Sequence, residues 1–407
     1  MILELILALF LGILAGTFTG LSPGIHINLV STILVSSLPF LSFLPLISLV
    51  VFIVSMSITH TFIDFIPSIY FGAPEEDNFL SVLPGHKMLN QGKAHEAFVL
   101  TLYGSLAALP IILIFTPIFI KFLPPFYLII KSTIPFILIL ISLYLIFRDS
   151  PISAALITFF LSGFLGLLAF NLPVKQPLMP LLSGLFGLSN LLVSIKNKVE
   201  IKKQVITPLK SIKIDKVSFW KTFLASSIAA PLCSFLPGIG SGHAAVLGSE
   251  LIDNKKQVEE ESNRSFLFLV GAINTIVMAL SFVTAYSIEK TRTGSAAAVQ
   301  QILGKIQLND LVIILIAIIF ASFIAFLIGI NLSKLASKFI NKVNYSYLTI
   351  FIILTLLAIN IIFSNWLGLI VLFAGTAIGI FTILSGNRRI NLMGSLILPS
   401  IIYYFIN

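Results

Sequence analysis

Uninterrupted apolar stretches of about 18 or more residues recur along the whole chain. A helix of that length crosses a hydrocarbon core of about 30 Å, so these stretches predict transmembrane helices. The strands of a transmembrane β-barrel would alternate between apolar and polar residues in segments of about ten, and no such alternation occurs. Only 10% of the 407 residues are charged, against roughly 25% in soluble domains, which excludes a soluble enzyme. The single cysteine, Cys233, excludes a secreted disulfide scaffold. We therefore predict an all-α polytopic membrane protein.

The positive charge of the chain, +9 in total, is concentrated in one place. Between residues 196 and 221 the sequence has eight lysines and only two acidic residues, Glu200 and Asp215. A short lysine-rich segment between membrane helices is typical of the cytoplasmic side, so residues 196–217 are predicted to be a cytoplasmic linker in a cell-membrane protein. Membrane lipid headgroups are its expected partners. No aromatic or glycine-rich pattern interleaves the lysines, so no nucleic acid is expected to bind.

The order of apolar segments is the same before and after this linker. Each half, residues 1–195 and residues 218–407, is about 190 residues long and has a polar interruption after its third segment. At a constant offset of 214, Pro23-Gly24-Ile25 aligns with Pro237-Gly238-Ile239, and His60 aligns with Asn274. These agreements predict an internal duplication, with about 10 to 14 membrane segments in all.

The relative orientation of the two halves depends on how the chain passes each Pro-Gly pair. If the pair joins two short helices that enter and leave on one side, each half has five crossings. If both short helices span the bilayer, each half has seven. Either odd number makes the repeats inverted, as in many secondary transporters. If the two short helices form one broken span, each half has six crossings and the repeats are parallel. The sequence leaves these alternatives open.

The first Pro-Gly motif runs from Gly20 to Asn28 and reads Gly-Leu-Ser-Pro-Gly-Ile-His-Ile-Asn. Proline removes a backbone donor and glycine permits a sharp reversal, so a helix is predicted to break there. The helix that restarts after the break presents unpaired N–H groups and the positive end of its dipole, which together suit an anion. The candidate substrate-binding residues of this motif are Ser22, Pro23, Gly24, His26 and Asn28.

The second motif runs from Ser234 to His243 and reads Ser-Phe-Leu-Pro-Gly-Ile-Gly-Ser-Gly-His. Its additional glycines would let a ligand approach the backbone closely. Either motif alone could instead be a kink or a close helix contact made by small residues. Their equivalent positions in the two halves favour a binding site. The candidate substrate-binding residues here are Pro237, Gly238, Gly240, Ser241, Gly242 and His243.

A titratable pair lies in the third apolar segment of the first half. His60 and Asp64 are spaced i, i+4, which places both on one face of a helix. Ionisable groups at membrane depth usually face a cavity, a partner or a proton path. Asp64 is therefore predicted to be a coupling carboxylate for H⁺ or Na⁺, with His60 as its partner. Asn274, the equivalent of His60 in the second half, is a further candidate for coupling. The alternative is that the pair lies at the membrane interface, because a polar loop follows shortly after it.

The sequence contains no signature of a cofactor site. His95-Glu96 lacks the second histidine of a His-Glu-x-x-His zinc motif, and no Cys/His cluster has zinc spacing. A phosphate-binding Gly-x-x-x-x-Gly-Lys loop is also absent. We therefore expect neither a cofactor nor an enzyme. Lys290 and Arg292, in the second polar interruption, either attract an anionic substrate or anchor a helix end among the headgroups.

Taken together, the motifs resemble those of the TctA family, the large membrane subunit of tripartite tricarboxylate transporters, and in particular its shorter archaeal members. Most of the chain is covered by the resemblance, which implies ion-coupled uptake of carboxylates with a small membrane subunit and an external substrate-binding protein. The chain is shorter than the larger bacterial members, and its glycine-rich motif carries His243. The resemblance rests on the stretches Gly20–Asn28, His60–Pro67, Leu83-Pro-Gly-His-Lys87 and Leu236–Ala244.

We therefore predict a secondary active transporter that holds a small organic anion, a carboxylate, between the Pro-Gly half-helices of two repeats. A polyprenyl-phosphate translocase is the alternative, because such proteins have a similar architecture and a phosphate suits the same helix N-termini. A membrane-embedded enzyme is a third class, although no nucleophile and base arrangement is recognisable.

Overall fold

A computed structural model gives the architecture of the protein. It describes residues 2–22, 27–41, 43–72, 80, 82–196, 202–252, 259–342 and 345–406, and within these ranges every long regular element is a helix. In chain order the helices are α1 (Ile2–Leu21), α2 (Ile27–Ser36), α3 (Leu46–Ile63), α4 (Val82–Asn90), α5 (Ala94–Ile130), α6 (Ile134–Phe147), α7 (Ile152–Asn171), α8 (Leu178–Leu182), α9 (Ser189–Lys196), α10 (Lys216–Cys233), α11 (Ser241–Leu251), α12 (Glu259–Ile288), α13 (Gly294–Leu303), α14 (Leu308–Ile340), α15 (Tyr345–Leu384) and α16 (Gly394–Ile406).

Nine helical stretches of the described chain are long and apolar enough to cross a membrane. Two of them, at 54 and 38 residues, have length for about two crossings each, since one crossing needs about 20 residues. In the first, the short element Lys131–Thr133 separates α5 from α6, and the second is interrupted at Asn365, whose φ is 60°. The prediction of an all-α polytopic membrane protein is confirmed.

The centre of the molecule is formed by α3 and α12, whose side chains are almost all buried. Helix α1 packs closely along α3, because three glycines at intervals of four residues leave one face of α1 without side chains. The two helices run parallel, since successive glycines contact successive residues of α3. Gly12 lies against Ser55, Gly16 against Thr59, and Gly20 against Ile63. Small residues allow this close approach of backbones, which drives helix association where apolar burial alone cannot.

Helices α5 and α12 also cross in direct backbone contact. A Cβ atom on Gly104 would overlap the carbonyl oxygen of Phe268, and one on Gly271 would overlap the carbonyl oxygen of Thr101. Ser105 donates a hydrogen bond from its Oγ to the Gly271 carbonyl at 3.1 Å. Helix α5 is therefore held in close contact with the central helix α12.

A Gly104→Ala substitution is expected to destabilise the protein by about 1 to 3 kcal/mol, the usual cost of an added methyl group in a packed core. The loss should appear as a lower melting temperature of the detergent-solubilised protein. Gly248→Ala is the matched control, because its nearest neighbour is the mobile tip of Leu269 at 3.2 Å and alanine favours a helix. A Gly104→Ala protein as stable as the Gly248→Ala protein would contradict the tight crossing.

Helices α10 and α11 form a helical hairpin against α12. The ring of Phe219 contacts that of Phe268 in the first half of α12, and the carbonyl of Cys233 lies beside Arg292, whose neighbour Thr293 bonds to Ser281 in the second half of α12. Helix α10 therefore runs parallel to α12. Gly240, at the start of α11, lines a cavity together with Asn274 of α12, whereas Gly248, near the end of α11, packs against the earlier residue Leu269. Helix α11 therefore runs antiparallel to α12. The second Pro-Gly motif therefore joins two antiparallel helices.

The helix boundaries recur at the offset of 214. Helices α1 and α10 begin at Ile2 and Lys216, and helices α5 and α14 begin at Ala94 and Leu308. The hydroxyls of Thr61 and Thr275, themselves 214 residues apart, lie 3.4 Å from each other. An inverted duplication requires such contacts between equivalent residues near its axis. The duplication, and the boundaries at residues 195 and 218, stay predictions.

The described part of the linker lies across one end of the molecule, here called the linker side. Gln204 accepts the N–H of Ala94 at 3.0 Å and donates its own backbone N–H to Asn341 at 2.7 Å. The start of α5 and the end of α14 therefore meet at one residue, so these helices run in opposite directions. Arg264, near the start of α12, donates to the carbonyl of Lys213. The opposite end of the molecule is called the distal side.

Candidate functional site

A cavity of about 810 Å³ lies between the α10–α11 hairpin, the end of α12 and the start of α13. It extends from Asn274 in the middle of α12 to Tyr403 and Tyr404, which also line a space beside Ile288 at the end of that helix, so it reaches the distal side. Helices α7 and α16 supply an apolar wall. The polar side chains of the lining come from Asn28, Thr32, Asn171, Gln176, Asn274, Arg292, Thr293, Ser400, Tyr403 and Tyr404.

The tip of the α10–α11 hairpin forms one side of the cavity through Pro237, Gly238 and Gly240. Gly238 has a φ of 73°, which favours glycine, and a Cβ atom there would lie 2.8 Å from the Oγ of Ser400. Helix α11 then begins at Ser241 with Gly240 as its N-cap. The N-cap of this helix thus lies at the cavity wall.

His243 stabilises the start of α11 from within. Its Nδ1 accepts the backbone N–H of Gly240 at 3.2 Å, and its ring is fully buried. Its Nε2 has no hydrogen-bond partner in the part of the chain that the structure describes. His243 is absent from the cavity lining, so its contact with the backbone gives it a positioning role at the hairpin tip.

A second helix N-terminus, that of α13, meets the same cavity. Thr293 is its N-cap, and the Oγ1 of Thr293 accepts the N–H of Ala296 at 3.2 Å. Gly294 packs against the side-chain oxygen of Asn28, which comes from α2. The sequence reasoning missed this helix start, although a threonine followed by a glycine and small residues is a typical N-cap signal.

Arg292 supplies a positive charge to the cavity. It is half-buried, and its Nε donates to the carbonyl of Cys233 at 3.4 Å. Among the described residues that line the cavity, no aspartate or glutamate occurs. The guanidinium and the dipoles of α11 and α13 therefore create a positive potential in the same space. This electrostatic arrangement suits an anion with at least one carboxylate or phosphate group.

A buried polar cluster adjoins the cavity at Asn274. The side-chain amide of Asn274 donates to the Oδ2 of Asp64 at 3.1 Å. The Nδ1 of His60 lies 3.0 Å from the Oγ1 of Thr19. His60 and Asp64 are 2% and 3% exposed, so both are enclosed by protein. Asn274 belongs both to the wall and to this cluster, which links the cavity to a carboxylate from the other half of the chain.

The structure brings together part of the predicted set. The cavity lining includes Asn28, Pro237, Gly238, Gly240 and Asn274. The residues of the set that lie outside the lining are Ser22, His60, Asp64, Ser241, Gly242 and His243. Three further residues of the first motif, Pro23, Gly24 and His26, lie outside the described residues.

Two other histidines lie away from the cavity. The ring of His86 packs against Gly72, and burial together with the charge of Arg389 lowers the pKa of His86 to about 4. The imidazole is therefore neutral at neutral pH. His95 bonds through Nδ1 to the hydroxyl of Ser333 at 2.9 Å, on the linker side. Within the described ranges, no three His, Cys, Asp or Glu side chains converge as a metal site requires. The absence of a cofactor stays a prediction.

Most of the sequence matches one known protein family. The sequence model of the family described as "Tripartite tricarboxylate transporter TctA family" matches residues 6–394. The chain belongs to the TctA family. It is thus a multi-pass membrane component of the tripartite tricarboxylate transporter class, and the family implies a small membrane subunit and an external binding protein.

One curated relative has nearly the same extent as this TctA-family chain. It is an uncharacterized protein of Methanocaldococcus jannaschii, 32% identical over 414 residues, and the alignment covers 98% of each chain. No solved structure matches significantly.

Proposed function

We propose that this TctA-family protein is an ion-coupled permease for a small organic anion carrying carboxylate groups. The observation that carries the proposal is the cavity itself, in which Arg292, the N-cap residue Gly240 of α11 and the N-terminus of α13 line one space without an acidic residue in the described lining. Its volume of about 810 Å³ is within the range of small-molecule sites, roughly 300 to 1,000 Å³.

The chemistry of the wall indicates how such an anion would bind. A guanidinium can hold a carboxylate through two parallel hydrogen bonds. The amides of Asn28 and Asn274 can donate to further oxygens, and the backbone at Gly240 lets the anion approach the N-terminus of α11. Pro237 and Gly238 shape this surface. Of the first motif, only Asn28 contributes a described side chain to the cavity.

Coupling follows from the position of Asn274 between the substrate cavity and Asp64. An H⁺ or Na⁺ that binds at Asp64 would compete for the carboxylate oxygen that Asn274 now holds. The amide of Asn274 would then be free to turn toward the anion. In this mechanism the ion and the substrate bind cooperatively because they share one side chain.

We further propose that residues 1–195 and 218–407 act as inverted repeats that alternate in exposing the site. Two observations support this proposal. Equivalent helices begin 214 residues apart, and the equivalent helices α5 and α14 run in opposite directions. With the linker in the cytoplasm of a cell-membrane protein, the distal cavity faces outward. A small membrane subunit and an external binding protein would then deliver the substrate to that side, and we propose no catalytic activity.

Transport by the purified protein in liposomes tests the function. Labelled di- and tricarboxylates at millimolar concentration are supplied outside, with and without an imposed Na⁺ or pH gradient. We expect gradient-dependent accumulation of at least one carboxylate, and thermal stabilisation of the detergent-solubilised protein by the same compound. Binding of a polyprenyl phosphate with no binding or uptake of any carboxylate would overturn the proposal.

A further inference from the structure

A second cavity, here called the antechamber, adjoins the first on the distal side. Its volume is about 660 Å³, and it lies between the ends of α5, α12 and α16. Tyr403 and Tyr404 of α16 line both cavities, so the antechamber and the substrate cavity share a wall. The remaining polar lining consists of Tyr127, Lys131, Ser132 and Lys290. Neither an aspartate nor a glutamate is among the described residues that line it.

The two lysines come from ends of different helices. Lys131 directly follows α5, and Lys290 lies two residues beyond the end of α12. The intervening Glu289 has a φ of 53°, which turns the chain sharply there. The carboxylate of Glu289 pairs with Lys305 at 3.3 Å. The acidic residue next to Lys290 in sequence is therefore paired with Lys305. Lys131 and Lys290 both line the antechamber.

The tyrosines complete a polar surface between the lysines and the inner cavity. Tyr127 and Tyr404 both line the antechamber, so the end of α5 and helix α16 meet there. A phenol can donate to a carboxylate or phosphate oxygen, and its ring tolerates the membrane interface. An anion that enters the antechamber would thus first meet the ammonium groups of the two lysines. It would then meet the tyrosine hydroxyls on the wall that the antechamber shares with the substrate cavity.

We propose that the antechamber is a second anion-binding site, in which Lys131 and Lys290 capture the anionic substrate before it enters the substrate cavity. This inference rests on the proposed transport function. The shared wall of Tyr403 and Tyr404 indicates the route inward. The same ammonium groups would also suit the phosphate of a lipid headgroup, so the experiment must separate the two sources of the anion.

The test compares wild-type protein with a Lys131→Gln/Lys290→Gln double variant in liposomes of neutral lipid. At low ionic strength we expect the KM for carboxylate uptake to rise about tenfold in the double variant, with an unchanged maximal rate. Added salt should raise the KM of the wild-type protein and leave the variant nearly unaffected, because salt screens exposed charges.

Lys121→Gln is the matched control. Lys121 is also exposed and lies on α5, but it is placed over the ring of Phe122 and is absent from the antechamber lining. Its removal should leave both KM and the salt dependence unchanged. An equal effect of Lys121→Gln would show that only the general surface charge matters and would overturn the proposal.

Native mass spectrometry distinguishes the lipid headgroup from the substrate. The protein is presented with phosphatidylglycerol in one sample and with the transported carboxylate in another. Loss of bound phosphatidylglycerol in the double variant, with an unchanged KM for uptake, would assign the site to lipid and overturn substrate capture. If the wild-type protein neither binds nor transports any carboxylate, the proposed function itself fails, which is a separate outcome.

Discussion

An Asp64→Asn protein is expected to bind its substrate but to lose accumulation against a gradient. The substitution keeps the size of the side chain, so the contact with Asn274 at 3.1 Å can be retained through the remaining oxygen. It removes the negative charge that an H⁺ or Na⁺ would bind. Uptake should therefore fall to equilibration, with an internal concentration no higher than the external one, whatever gradient is imposed.

Two measurements on the same liposomes decide this prediction. Gradient-driven uptake of a labelled carboxylate reports coupling, and exchange of internal for external label reports binding and movement of the site. Asp310→Asn is the control, because Asp310 lies partly exposed at the start of α14, outside the cavity. Full gradient-driven accumulation by the Asp64→Asn protein would reject the coupling role of Asp64.

An Arg292→Gln protein is expected to bind the anion about 10- to 100-fold more weakly. A hydrogen bond to a charged group contributes about 1.5 to 3 kcal/mol, and each 1.4 kcal/mol changes affinity tenfold. The guanidinium would also be replaced by a neutral group in a cavity whose described lining has no other charge. The loss should appear in the dissociation constant and in the KM for uptake.

Arg292→Lys provides the matched control, because it keeps the positive charge and removes the bidentate hydrogen bonding of the guanidinium. Its affinity should lie between those of the wild-type and Arg292→Gln proteins. Melting temperatures of all three proteins show whether loss of the contact with the Cys233 carbonyl alters stability. An Arg292→Gln protein with wild-type affinity and stability would exclude Arg292 as a ligand.

Much of the fold could be predicted because membrane insertion is governed by local composition. Every span is a continuous apolar stretch, and the hairpin at Pro237-Gly238 occurs where the backbone loses a donor and adopts a positive φ. The family assignment, based on a few short motifs, is confirmed by a match to residues 6–394. These features depend on neighbours within a few residues, which a sequence displays directly.

The site was less accessible because its members are far apart in the chain. Asp64 and Asn274 are separated by 210 residues, and nothing in either segment specifies that they bond. From the sequence, Arg292 was more readily assigned to the lipid headgroups than to an anion. The apolar wall from α7 and α16 has the same composition as a surface that faces lipid, so no sequence signal separates the two.

The sequence by itself determined that this chain is a helical membrane protein, that a helix breaks at Pro237-Gly238, and that the chain resembles the TctA family. Only the tertiary structure decided which helix N-termini share a cavity, that Arg292 belongs to it, and that His243 supports the backbone from behind. The physical reason is the range of the interactions. Hydropathy and turn chemistry act along the chain, whereas an anion site is made by charges and dipoles that packing brings together from both halves.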